Sequence, residues 1–93
     1  MTATPNHILT VLNCLESAID GFETVDTFAA DRDLLNAVII YKASATLTDD
    51  RAFINDIRGL RATVRSTDNR DRCEEHIDRV EDIIGDIQRH YRI

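Results

Sequence analysis

No long apolar run occurs anywhere in this chain of 93 residues; the longest is Ala37-Val38-Ile39-Ile40-Tyr41. A membrane-spanning helix needs about 20 such residues, so none is expected. Met1 to Pro5 lack a basic stretch followed by an apolar one. No secretory signal is read there, and a cytoplasmic protein is expected. The two cysteines, Cys14 and Cys73, are too few for a disulfide framework, and no Cys-x-x-Cys pair exists. Neither has an evident base partner, so neither is expected to be a nucleophile. Three scattered glycines exclude a glycine-rich phosphate loop. His7, His76 and His90 show no metal-ligand spacing, so no metal and no cofactor are expected, and the histidines are read as solvated or flanking. No stretch reads as a strand, and there is no repeat, low-complexity tract or linker.

What is present is helical periodicity. Cys73, Ile77, Val80, Ile84, Ile87 and Tyr91 recur at steps of four and three within a last helix read as Asn69 to Ile93. So long a helix needs its apolar stripe covered, and the earlier helices are read as the cover. Thr4-Pro5 starts a first helix whose face is Ile8, Val11, Leu12, Leu15, Ala18 and Ile19. Gly21 is expected to supply the left-handed residue that ends it, with Phe22 folding back on the stripe. Thr24 to Ala30 reads as one short turn. Asp31 or Asp33 then caps a second main helix from about Leu34 to Leu47, facing inward with Leu34, Leu35, Val38, Tyr41 and Ala45. Ile39 and Ile40 widen its apolar arc, which suits a central helix or one that also meets a second subunit, so Ile39, Ile40 and Tyr41 are interface candidates. Thr48-Asp49-Asp50 caps a third helix carrying Phe53, Ile57, Leu60 and Val64. Ser66 to Asn69 is the clearest break, with Asp68 or Asn69 capping the last helix. Glu75–Arg79 and Asp86–His90 are same-face pairs within it. The expectation is one all-α domain over residues 1–93, an antiparallel four-helix bundle. So small a core favours a homodimer.

Charge is unevenly placed. The net charge is −6, and residues 1–50 hold eight acids against Arg32 and Lys42, whereas residues 51–93 hold nine acids and nine arginines. The acidic half argues against general binding of nucleic-acid phosphates. Ten of the eleven basic residues are arginine, which suits forked recognition of phosphate or carboxylate. Arg51, Arg58, Arg61 and Arg65 fall in one arc of the third helix, beside its apolar stripe. They are candidates for binding phosphate, RNA or an acidic partner. The plainer alternative, ion pairing with the acidic first half packed alongside, carries about twice the weight. Asp49-Asp50 and Glu74-Glu75 sit where helix starts favour acids, which explains them without catalysis.

Three segments together resemble a known family. They are ILTVLNCLESAIDGF (8–22), FAADRDLLNAVI (28–39) and INDIRGLR (54–61). Their order and spacing resemble the HepT-like branch of the HEPN superfamily over about residues 7–66. The resemblance implies a small all-helical, typically dimeric scaffold. Many members are toxins that cleave RNA without a metal and are paired with a nucleotidyltransferase antitoxin. By that resemblance Arg61, just after Ile57-Arg58-Gly59-Leu60, is the active-site arginine. The sequence departs from the family at the neighbouring positions. Ala62 replaces a polar residue, Ser66 stands where the histidine belongs, and Asp68 replaces a tyrosine. A glycine-glutamate late in the second helix is absent around Tyr41-Lys42-Ala43. Serine does not perform the acid–base work of imidazole at neutral pH.

Three functional readings follow. The first is a non-catalytic protein–protein interaction module on a HEPN-like scaffold, meeting its partner through the acidic first half or the apolar seam beside the second helix. The second is a metal-independent ribonuclease toxin using Arg61, or Arg70 with His76, the latter pair having an arginine-to-histidine spacing of the same kind. The third is an acidic inhibitor that mimics nucleic acid, for instance one encoded by a phage.

Overall fold

The computed structural model describes residues 6–44, 48–66 and 72–92, and for 44 and 48–50 the backbone alone. The described residues form four helices and no strand: α1 (Asn6–Glu23), α2 (Thr27–Ser44), α3 (Thr48–Arg65) and α4 (Cys73–Tyr91). Their lengths, 18, 18, 18 and 19 residues, correspond to about 27 Å of helix each. The two short dimensions of the molecule, 19 and 17 Å, are about two packed helices across. The principal neighbours of α1 are α2 and α4, and those of α3 are the same two.

The junction of α1 and α2 departs from the expected one. Gly21 does not end the first helix. Val25 takes the left-handed conformation, at φ 58°. Its N–H donates to Phe22 O (3.1 Å) and that of Asp26 to Gly21 O (2.8 Å), the two bonds of a Schellman termination. Gly21 serves another purpose: a Cβ there would lie 3.0 Å from Ala30 N and 3.1 Å from Ala30 Cβ. Its missing side chain lets α1 and α2 touch.

The expected break before Leu34 is absent. The Asp26 carboxylate accepts the Ala29 N–H (3.1 Å) and caps α2 at its start, so the helix runs unbroken from Thr27. Asp31 and Asp33 lie one and two turns inside it and have other roles. Asp33 accepts the Ser17 hydroxyl of α1 at 2.8 Å, and Asp31 meets α3.

The core follows the expected stripes with shifts on each helix; Ile19 of α1 and Phe53 of α3, expected on them, are half-buried. From α1 come Ile8, Val11, Leu12, Leu15, Ala18 and Phe22, and from α3 Ile54, Ile57, Leu60 and Val64. On α2 the buried ridge is Ala30, Leu34, Ala37, Val38 and Tyr41, with Leu35 half-buried and Ile39 exposed. On α4 it is His76, Val80, Ile83, Ile84 and Ile87. Cys73, Ile77 and Tyr91, expected on the stripe, are only half-buried. A helix that contacts two neighbours buries two adjacent ridges, which rotates the inward face of α4 toward His76 and Ile83.

Contacts link helix ends. Phe22 of α1 meets His76 at the start of α4, ring centres 5.2 Å apart. Phe53 near the start of α3 meets His90 near the end of α4, also at 5.2 Å. The Tyr41 and Tyr91 hydroxyls share a hydrogen bond of 3.0 Å. The two expected same-face pairs of α4 are replaced by others. Arg79 reaches Asp56 of α3 at 3.8 Å and Arg72 pairs with Glu75 at 3.6 Å, while Asp86 pairs with Arg89. The α4 start has Arg72 in the cap position without a side-chain cap. The proposed starts at Thr4-Pro5 and Asp68 or Asn69 lie outside the described residues, as do Ala45, Leu47 and the side chains of Thr48, Asp49 and Asp50.

Val25 is β-branched, left-handed and 68% exposed, so it carries backbone strain with little packing to offset it. Val25→Gly should stabilise the fold by about 1 kcal/mol. Gly21→Ala should destabilise it by roughly 1–3 kcal/mol through overpacking against Ala30. Urea midpoints of the two variants, at unchanged slope, provide the check.

Candidate interaction groove

Steps of seven, three and four along α3 bring Arg51, Arg58, Arg61 and Arg65 to the flank that faces α2. The structure places all four on one groove. Its middle, of about 310 Å³, is lined by Leu35, Val38, Ile39 and Lys42 of α2 and by Arg58, Arg61, Ala62 and Arg65 of α3. One end, about 530 Å³, shares Lys42 and Arg58 and adds Arg51, Ile54 and Asn55. The other, about 370 Å³, shares Arg65 and adds Thr27, Phe28, Asp31 and Val64.

The two walls differ in chemistry. The α2 wall carries the apolar residues: Phe28 is 78% exposed, Ile39 is 55% exposed and Leu35 is half-buried, with Asp31 and Lys42 as its charged members. The α3 wall is cationic. Among the described residues, Arg61 alone of its arginines has a carboxylate partner. Its Nε donates to one Asp31 oxygen at 3.0 Å and its terminal nitrogen to the other at 3.4 Å, both side chains being about a quarter exposed. The fork matches guanidinium to carboxylate with directional bonds. Arg51, Arg58, Arg65 and Lys42 have no ion pair among the described residues. The expected pairing with the acidic first half is seen for Arg61 and, among the described residues, for none of its neighbours on the groove.

The other candidates lie elsewhere. Tyr41 is fully buried in the core of its own chain, because it follows Ala37 by four residues on the inward ridge; Ile40 is half-buried. Of the three interface candidates, Ile39 is the exposed one. His76 is 3% exposed, the one buried polar residue among those described, where a solvated or flanking histidine was expected. Its place on the inward ridge of α4, against Phe22, accounts for the burial. It borders a depression between α3 and α4, with Asp56, Gly59 and Arg79. Gly59 and Arg61 are two residues apart on α3, so they point to opposite flanks of the helix. Arg61 and His76 thus line separate surfaces. Arg70 lies outside the described residues.

Among the described residues, no three His, Cys, Asp or Glu side chains converge to hold a metal ion, and no helix is long and apolar enough to cross a membrane. Both cysteines are free. Burial, with a smaller contribution from nearby Asp33, pushes the Cys14 thiol above its ordinary pKa, which disfavours the nucleophilic thiolate.

Phe28, Leu35 and Lys42 were missed as groove residues. Phe28 and Leu35 are one heptad apart and Lys42 is one further, a spacing that marks a single α2 face once the start of α2 at Thr27 is known. No family model, no curated protein and no solved structure matches the chain.

The Asp31–Arg61 fork is partly exposed, so solvent screens it. A double-mutant cycle of Asp31→Asn and Arg61→Gln, followed by chemical unfolding, should give a coupling of about 0.5–1 kcal/mol. A coupling near zero would remove the fork as a tie between α2 and α3.

Proposed function

We propose that this chain is a non-catalytic protein–protein interaction module on a HEPN-like, antiparallel four-helix scaffold, acting as a cytoplasmic homodimer. The α2/α3 groove is its recognition surface. The observation that carries the reading is the two-sided wall of that groove, with exposed Phe28 and Ile39 opposite Arg58 and Arg65. Apolar anchors bordered by arginine are the chemistry of protein contacts.

Several features support the scaffold. The three segments that resemble the family fall on α1, α2 and α3 in order. The meeting of α1's end with α4's start, and of α3's start with α4's end, fits antiparallel packing. Exposed Leu9 and Val25 are apolar surface available to a second copy. A homodimer formed through those residues would leave the groove to a different protein.

One observation favours this reading over a metal-independent ribonuclease toxin. Arg61 is engaged by Asp31, which competes with a phosphodiester for the guanidinium that would stabilise developing charge. Arg70, the partner of His76 in the other ribonuclease reading, lies outside the described residues, and the experiment below decides that pair.

The test is incubation of the purified protein with labelled RNA, with and without a chelator, beside Arg61→Ala and His76→Ala, with particle mass measured by light scattering. Intact RNA and a two-chain particle are expected. Chelator-resistant cleavage lost in either variant would establish the ribonuclease instead. A single-chain particle would overturn the homodimer.

A further inference from the structure

Resting on the interaction-module reading, we infer that the α2/α3 groove binds an acidic amphipathic helix of a partner protein. Phe28 to Lys42 on α2 and Arg51 to Arg65 on α3 each cover 15 residues, about 21 Å from first to last. The groove therefore matches about four turns of a third helix lying along it. Such a helix needs an apolar stripe for the α2 wall and carboxylates on the flank that faces α3.

The Asp31–Arg61 fork is an internal template for the polar half of this contact. A carboxylate from one helix is already held by a guanidinium of the next. Arg58 and Arg65 lie three residues before and four after Arg61, one turn away on either side. Both are exposed and have no ion pair among the described residues. Acids at helical spacing on an incoming segment would repeat the same fork at each.

Charge complementarity selects a carboxylate-bearing segment over RNA. Five of the eleven basic residues line the groove, and among the described side chains the one acid lining it is Asp31. The whole sequence holds seventeen acids against eleven basic residues. The chain carries a net charge of −6, so a long polyanion extending past the groove meets a net like charge. The apolar wall carries a single exposed ring, Phe28 at one end, and is aliphatic at its centre with Leu35 and Ile39, so successive bases have no series of rings to stack on.

The test is selection from a displayed library of 16-residue helical peptides, randomised along one face, against the whole chain. Parallel selections use Arg58→Glu/Arg65→Glu and Ile39→Ser, each confirmed helical by circular dichroism. Enriched peptides should carry leucine-like residues at helical spacing with glutamate or aspartate along one flank. Their affinity should fall at least about tenfold in the charge-reversed variant and with added salt, and also weaken in Ile39→Ser. No enrichment, enrichment of basic or uncharged peptides, or equal binding by the charge-reversed variant would overturn the inference. Tighter binding of a labelled single-stranded RNA than of any peptide would replace it with a nucleic-acid site. Growth of particles with concentration, blocked by Arg58→Glu/Arg65→Glu, would instead identify the occupant as another copy of the chain. Failure here with RNA left intact touches only the chemistry of the partner. RNA cleavage in the preceding experiment would remove the module itself.

Discussion

The close approach of Gly21 to Ala30 is the constraint on which the rest of the molecule depends. Two helices touching through a glycine and an alanine leave no room for relative rotation, because packed interiors yield little. With Ala30 against α1, the α2 positions at steps of four, three and four, Leu34, Ala37 and Tyr41, are carried inward. By the same rotation Phe28 and Ile39 are carried out. The exposed apolar wall of the groove is therefore a consequence of a contact made on the opposite side of α2.

The local backbone serves that contact. α1 continues past Gly21 to Glu23, so the chain turns back at Val25, a residue poorly suited to a left-handed turn. Asp26 then starts α2 at once by capping it. A glycine at position 25 would ease the turn, yet the only glycine nearby is committed to helix packing. Local strain is accepted there, and burial of Phe22 and Ala30 on either side offsets it.

Electrostatics then distinguishes the two flanks of α3. On the α4 side, Asp56 pairs with Arg79. On the α2 side, Asp31 pairs with Arg61, and the arginines one turn above and below have no counterpart among the described residues. A chain with an acidic excess thus keeps a local cationic wall beside apolar surface. Exposed charges of this kind add little to the stability of the chain itself.

Much of the architecture was legible in the residues. The steps of four and three determined four helices and most of their buried faces, because an amphipathic pattern has one low-energy solution in water. The arginine arc on α3 was legible for the same reason. Two readings failed locally. Gly21 reads as a helix end because glycine is the common left-handed residue, and Asp26 does not stand out as the cap because Asp31 and Asp33 are equally good caps in isolation. Only tertiary structure decided which of α2's many apolar residues are core and which are surface, since a helix apolar over a wide arc is almost indifferent to its own rotation. Tertiary structure also separated Arg61 from His76 and joined Arg61 to Asp31. Those relations are set by which helix lies beside which, a property that no spacing along a single helix encodes.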